Sequence, residues 1–200
     1  MKVLKNILNK VKTSTIIGSV DVLVSSVEFD SRKVVHNSLF VAQKGLIFDG
    51  HNFIEKIIEL GASVIICEEI PSELNENVTY VQVEDSNVAL ALIASNFFEN
   101  PSSKLRLIGV TGTNGKTTIA TLLFQLFKNL GYKSGLLSTV KIVVENKVYN
   151  ATHTTPDSIQ INKYLYEMVK AGVEFCFMEV SSHGIHQKRT EGLQFEGGIF

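Results

Sequence analysis

Between Lys104 and Phe127 the chain reads KLRLIGVTGTNGKTTIATLLFQLF. No other stretch constrains the fold as much. A short apolar run, of strand length, enters a glycine-rich loop, and the loop opens directly onto a helical repeat. Ile119, Leu122, Leu123, Leu126, Phe127 and Leu130 recur at helical spacing, which predicts one apolar helix face closed by Gly131. Strand, glycine loop and helix in this order are the setting of a phosphate-binding loop. The usual spacing, G-x-x-x-x-G-K-S/T, would put its first glycine where this chain has Val110. That change alters the entry of the loop and leaves its machinery intact. Gly112 and Gly115 can adopt backbone angles closed to other residues, and the free N–H groups of a helix start attract an anion. Lys116 can reach the outer phosphates of a nucleotide, and the Thr117 hydroxyl can bind Mg²⁺. Residues Gly112, Thr113, Asn114, Gly115, Lys116, Thr117 and Thr118 are therefore the expected nucleotide-binding set.

The rest of the chain alternates in the same way. SLFVA, SVIICEE, VTYVQVE, KSGLLSTV and EFCFMEV read as strands, as does VDVLVSSVEFDSR; KIVVENKVY reads as a hairpin turning at Glu145–Asn146. NFIEKIIELGA, SNVALALIASNFFENPS and DSIQINKYLYEMVKAGV read as helices, with Ser86 as a cap of the second and Asp157 or Ser158 of the third. The N-terminal MKVLKNILNKVKTSTIIG predicts a short amphipathic helix. The expected fold class is α/β: a small N-terminal α/β domain over 1–99, then a mostly parallel phosphate-loop sheet over 104–200. The polar NPSSK stretch at 100–104 is the expected linker. The chain stops at Phe200 inside a strand-like run, which predicts a fragment of a longer protein.

Composition narrows the partners. Of the 200 residues 44% are hydrophobic, and the formal net charge is −1 at pH 7. No basic excess points to nucleic acid, and no apolar run approaches the roughly 18 residues of a membrane span. Cys67 and Cys176 sit alone inside apolar runs, as small buried residues of a protein in a reducing, cytoplasmic compartment.

Further residues carry chemistry with more than one reading. Asp30–Ser31–Arg32 closes a strand, where Ser31 can bind a ligand oxygen or form a plain turn. His51, in KGLIFDGH, is more often a structural hydrogen-bonding residue than a ligand. Thr154 and Thr155 offer two hydroxyls beside Pro156, for a substrate or for a local turn. Glu179 ends the apolar EFCFM run, where it is either an exposed strand-end carboxylate or a Mg²⁺ ligand beside the phosphate loop. His183 reads equally as a structural histidine at a helix start.

TGTNGKTT resembles the phosphate loop of the Mur ligase superfamily, whose members join amino acids to carboxylates using ATP. FDSRKVVHNSLFVAQKGLIFDGHNFI at 29–54, HTTPD at 153–157 and MEVSSHGIHQKR at 178–189 resemble one branch. That branch comprises the UDP-N-acetylmuramoyl-dipeptide ligases that add the third residue of the peptidoglycan stem. The resemblance runs through essentially the whole chain. It implies ATP and Mg²⁺ as cofactors, with Lys116 and Glu179 catalytic and Thr117 and Glu179 at the metal. It also implies contacts to UDP-MurNAc-L-Ala-D-Glu from Phe29, Ser31, Gly45, Thr154, Thr155, Ser181, Gln187 and Arg189. The second substrate would be an amino acid, diaminopimelate or lysine, and the protein a monomer. A histidine, a carbamylated lysine and the amino-acid-binding domain would lie beyond Phe200, so the fragment alone would not turn over. A folate polyglutamate ligase shares the loop without the N-terminal stretch. A P-loop kinase or plain nucleotide-binding module would lack the HTTPD and EVSSH stretches.

Overall fold

The computed structural model describes residues 1–45, 49–151 and 153–200, and the chain folds as two compact units, Met1–Phe97 and Phe98–Phe200. The first unit opens with β1 (Lys2–Val3), one helical turn α1 (Leu4–Ile7) and β2 (Thr13–Ile17). The expected amphipathic helix is thus only one turn long. Lys10 takes a left-handed φ of 62° and ends it, and the β-branched TSTII run instead pairs antiparallel with a later strand. β3 (Leu23–Val24) and β4 (Ser26–Glu28) replace the single long strand expected there. β3 pairs with β1 and β4 with β5 (Ser38–Val41), two partners that one straight strand could not serve. Then come α2 (Ile54–Glu59), β6 (Val64–Cys67), β7 (Thr79–Val83) and α3 (Ser86–Phe97). The sheet runs β2-β7-β6-β5-β4, parallel except for β2 at one edge. β5 and β6 are buried at every position, as the continuous apolar runs SLFV and VIIC require of central parallel strands. Asp85, not Ser86, caps α3: its carboxylate accepts from the N–H groups of Asn87 (2.8 Å) and Val88 (3.0 Å). Glu99 and Asn100 are left-handed, and Pro101–Ser103 forms a 3₁₀ turn within the second unit, where Pro101 and Ser102 are buried.

The second unit contains β8 (Arg106–Val110), α4 (Lys116–Asn129), β9 (Ser134–Leu137), β10 (Lys141–Val144), β11 (Lys147–Asn150), α5 (Ser158–Lys170), β12 (Phe175–Glu179), α6 (Ser182–His186) and β13 (Gly197–Ile199). Its sheet runs β11-β10-β9-β12-β8-β13; the last four strands are parallel, and β10–β11 is an antiparallel hairpin with Glu145 left-handed at the turn. α4 and α5 cover opposite faces. Strand alternation divides β12 between them: Phe177 joins Ala120 and Phe124 of α4, while Cys176 and Met178 join Ile161 and Leu165 of α5. By the same alternation Glu179 falls on the side of α4.

The apolar face of α4 is wider than the contact it makes. Ala120 and Phe124 are buried and Ile119, Leu123 and Phe127 pack beside them, but Leu122, Leu126 and Leu130 are 58%, 51% and 63% exposed. At 100° per residue the six expected positions plus Ala120 and Phe124 sweep about 200° of the helix, and one sheet face covers only part of that arc.

Candidate functional site

β8 delivers the chain to the loop at its C-terminal end, where ligands bind in open parallel sheets. Gly112 and Gly115 hold φ of 129° and 79°, so both glycines of the loop use the conformation that favours glycine. Gly115 is the N-cap of α4 and offers no side-chain partner to the first N–H groups of the helix. Those donors stay available to an anion. The Lys116 ammonium folds back on the loop and donates to the Gly112 carbonyl at 2.7 Å.

Glu179, the last residue of β12, is only 1% exposed. A buried carboxylate costs several kcal/mol unless it is hydrogen-bonded, and here three donors converge on it. Thr117 Oγ1 donates to Oε2 at 2.9 Å, Thr139 Oγ1 to Oε2 at 3.1 Å, and the Thr139 N–H to Oε1 at 2.8 Å. Thr139 was missed in the sequence. Its signal was a hydroxyl two residues past a strand that ends at the same sheet edge. Together the loop, Thr139, Thr154 and Glu179 line a cleft of about 360 Å³. Among the described residues no group of three or more His, Cys, Asp or Glu side chains can hold a metal. A cation here would need nucleotide oxygens beside Thr117 and Glu179. The pair fits that demand, since Mg²⁺ takes few protein oxygens and completes its shell with phosphates and water.

Four of the other expected residues bind one another. Thr155 is 1% exposed; its hydroxyl accepts from the Ser181 N–H at 2.9 Å, donates to the Glu179 carbonyl at 3.1 Å and lies 3.1 Å from Ser181 Oγ. Ser181 also caps α6, accepting from the Gly184 N–H. Arg189 donates twice to Gln187 Oε1 (2.9 and 2.6 Å) and once to the Thr155 carbonyl (2.6 Å). Gln187 reaches His183 at 3.0 Å. The 153–157 loop and the 181–189 segment are thus knitted into one polar wall. Thr154, unlike Thr155, faces the cleft.

In the first unit a cleft of about 510 Å³ is lined by Phe29, Ser31, Gly45 and, beyond the expected set, Arg32, Gln43 and Phe53. Residues 46–48 of the KGLIFDGH stretch lie outside the described residues. Asp30 caps the turn at Ser31–Lys33 and holds Arg32 in a two-point pair at 2.9 and 2.7 Å. The side-chain hydrogen bonds from Arg32 push the Asp30 carboxyl down to about 2.

This strand, loop and helix place the second unit among the phosphate-loop α/β proteins. The chain belongs to the Mur ligase family: residues 110–200 match the Mur ligase middle domain, and residues 23–98 match the Mur ligase family, catalytic domain. It is 55% identical over 198 residues to the UDP-N-acetylmuramoyl-L-alanyl-D-glutamate–2,6-diaminopimelate ligase of Cytophaga hutchinsonii, covering 98% of this chain and 41% of that protein. A solved UDP-N-acetylmuramoyl-L-alanyl-D-glutamate–2,6-diaminopimelate ligase superposes with a TM-score of 0.72 at 27% identity, over 88% of this chain and 35% of that one. A MurF ligase from Thermotoga maritima in complex with ADP gives 0.55 at 28% identity, over 81% and 33%. The chain spans about two fifths of the length of the curated relatives it matches.

Proposed function

We propose that the chain carries the nucleotide-sugar and ATP sites of a ligase that adds diaminopimelate to UDP-MurNAc-L-Ala-D-Glu in peptidoglycan precursor synthesis. The observation that carries the reading is the convergence of Thr117 and Thr139 on the buried Glu179 carboxylate at the mouth of the phosphate loop. A ligase of this class must bring together a polyphosphate and a carboxylate, two anions that repel. Its main tasks are charge neutralisation and alignment. Lys116 and the first N–H groups of α4 take the ATP phosphates, and Lys116 leaves the Gly112 carbonyl to do so. Thr117 and Glu179 would hold a Mg²⁺ ion, which would supply neutralisation of phosphate charge.

The γ-phosphoryl group passes to the D-glutamate side-chain carboxylate, giving an acyl phosphate and ADP. The amine of the incoming amino acid attacks the acyl carbon, loses a proton and expels inorganic phosphate as the amide forms. The unit 1 cleft, with Phe29, Ser31 and Gly45, receives the uridine diphosphate. Thr154, Thr155, Ser181, Gln187 and Arg189 are assigned to the muramoyl part of the substrate, where Arg189 keeps two N–H groups beyond the three it gives to Gln187 and the Thr155 carbonyl. Diaminopimelate is preferred to lysine because two of the similar proteins are named as diaminopimelate ligases. The reaction belongs to the cytoplasm, where nucleotide-linked precursors are made.

The test uses the full-length protein with ATP, Mg²⁺, UDP-MurNAc-L-Ala-D-Glu and either diaminopimelate or lysine, reading phosphate release and product mass. Release is expected only with both acceptor and amine, and the tripeptide only with diaminopimelate. Release with a folate acceptor and glutamate, or with no acceptor, would overturn the reading.

A further inference from the structure

His51 stands next to the unit 1 cleft without lining it, and its ring is only 14% exposed. Both ring nitrogens are used. Nε2 lies 3.0 Å from the backbone N of Glu68 and 3.4 Å from that of Glu69, just past the end of β6. A backbone N–H can only donate, so Nε2 must be the bare, accepting nitrogen. The proton therefore sits on Nδ1, which points at Asp49 Oδ1 at 2.6 Å. Asp49 Oδ1 also accepts the His51 backbone N–H at 2.9 Å. These bonds, the backbone one foremost, hold the Asp49 carboxyl below the usual carboxylate range and so keep it a charged acceptor.

The segment so anchored forms the wall of the cleft. Gly50 lines it, donates its N–H to the Gln43 carbonyl at 2.8 Å and sits so close to Gln43 that a Cβ there would lie 2.9 Å from the Gln43 nitrogen. Lys44 bridges to Asp49 and pairs with Glu69 at 2.8 Å. The charged groups around the ring are thus Lys44, Asp49, Glu68 and Glu69. Glu68 is itself occupied, accepting from the N–H and hydroxyl of Ser86. Among the described residues, the hydrogen bonds that join the 49–51 turn directly to the chain just past β6 are those at the His51 ring.

We infer that His51 is a positioning residue for nucleotide-sugar binding: a single enforced tautomer clamps the 49–51 turn to the end of β6 and so sets the cleft wall at Gly50. This rests on the assignment of the cleft to the uridine diphosphate group. The ligand touches the wall, not the imidazole, so the effect should appear in affinity and not in the chemical step.

In the full-length protein, calorimetry with UDP-MurNAc-L-Ala-D-Glu should show His51→Ala weakening binding about tenfold, the size expected for losing one well-made hydrogen bond at each end. Affinity for ATP and kcat at saturating substrate should stay near wild type. His51→Gln, which keeps a donor and an acceptor, should recover most of the loss. Nitrogen-resolved NMR of histidine-labelled protein should show the His51 proton on Nδ1, and Asp49→Ala, which leaves the Glu68 and Glu69 N–H groups on Nε2, should keep it there. Wild-type protein that fails to bind the nucleotide sugar would overturn the cleft assignment and this inference with it. Wild-type binding with unchanged affinity in His51→Ala, a loss confined to kcat, or a proton found on Nε2 would overturn the inference alone.

Discussion

Thr155 tests whether the polar wall of the second unit is held by its own bonds. Replacing it by valine keeps the shape and removes the hydroxyl, which leaves the Ser181 N–H, bonded at 2.9 Å, without an acceptor inside the protein. It also strips a donor from the Glu179 carbonyl, at 3.1 Å. Stranding a buried donor costs about 1–3 kcal/mol, and the valine methyl recovers a few tenths by burial. The net loss is about 2 kcal/mol. For a unit of this size, at about 4–8 °C per kcal/mol, that is a fall of about 8–16 °C in its unfolding midpoint. Serine keeps the hydroxyl and loses the methyl that packs on Gly184, where an added Cβ would lie 2.8 Å from it. That loss costs about 1 kcal/mol. Thermal unfolding of the full-length protein should therefore rank wild type, Thr155→Ser, Thr155→Val. Hydrogen exchange should show the Ser181 amide losing protection about 30-fold in the valine variant, and much less in the serine variant. A valine variant as stable as wild type, or more stable than serine, would refute the reasoning, because the hydroxyl would then contribute nothing inside the fold.

Lys116→Ala should lower ATP-dependent turnover by at least about 100-fold, the scale of losing a donor to transition-state charge, while calorimetry shows near-normal binding of UDP-MurNAc-L-Ala-D-Glu. Thr139→Val should raise the Mg²⁺ concentration for half-maximal activity about tenfold, as loss of a group that orients a metal ligand does, and Thr139→Ser should restore it. The Asp30 carboxyl, depressed to about 2 by Arg32, contributes stability that is present above its ordinary 3.8 and lost as pH falls through about 2. Carboxyl NMR should follow that titration and find it moved upward in Arg32→Ala. Burial lifts the Cys67 thiol to about 11 and the Cys176 thiol upward as well, so alkylation at pH 8 followed by mass spectrometry should leave both unmodified until the protein is denatured.

What could be read from the sequence was what neighbouring residues decide among themselves. Gly112 and Gly115 announce a loop that needs unusual φ, and Lys116 and Thr117 follow at the start of a helix that needs anions or caps. Asp157 caps α5 through the Gln160 N–H, three residues away. Strand alternation in EFCFME already assigns Glu179 to the face of Phe177. The errors were also local in kind: at Lys10 one left-handed residue and a β-branched run outweighed an apolar pattern that suited a helix.

The convergences needed the tertiary structure, because they depend on strand register between distant segments. Thr139 meets Glu179, forty residues on, because β9 and β12 pair in parallel with Leu137 opposite Met178. Sequence shows only that Thr155 carries a hydroxyl, and the tertiary structure shows it bonded to the Ser181 N–H and the Glu179 carbonyl at the end of β12. The neutral Nδ1–H form of His51 is enforced by the backbone of Glu68 and Glu69, which sequence places seventeen and eighteen residues away. The exposure of Leu122, Leu126 and Leu130 likewise follows from which arc of α4 the sheet covers. Periodicity gives the width of an apolar surface, and only packing selects the part of it that is buried.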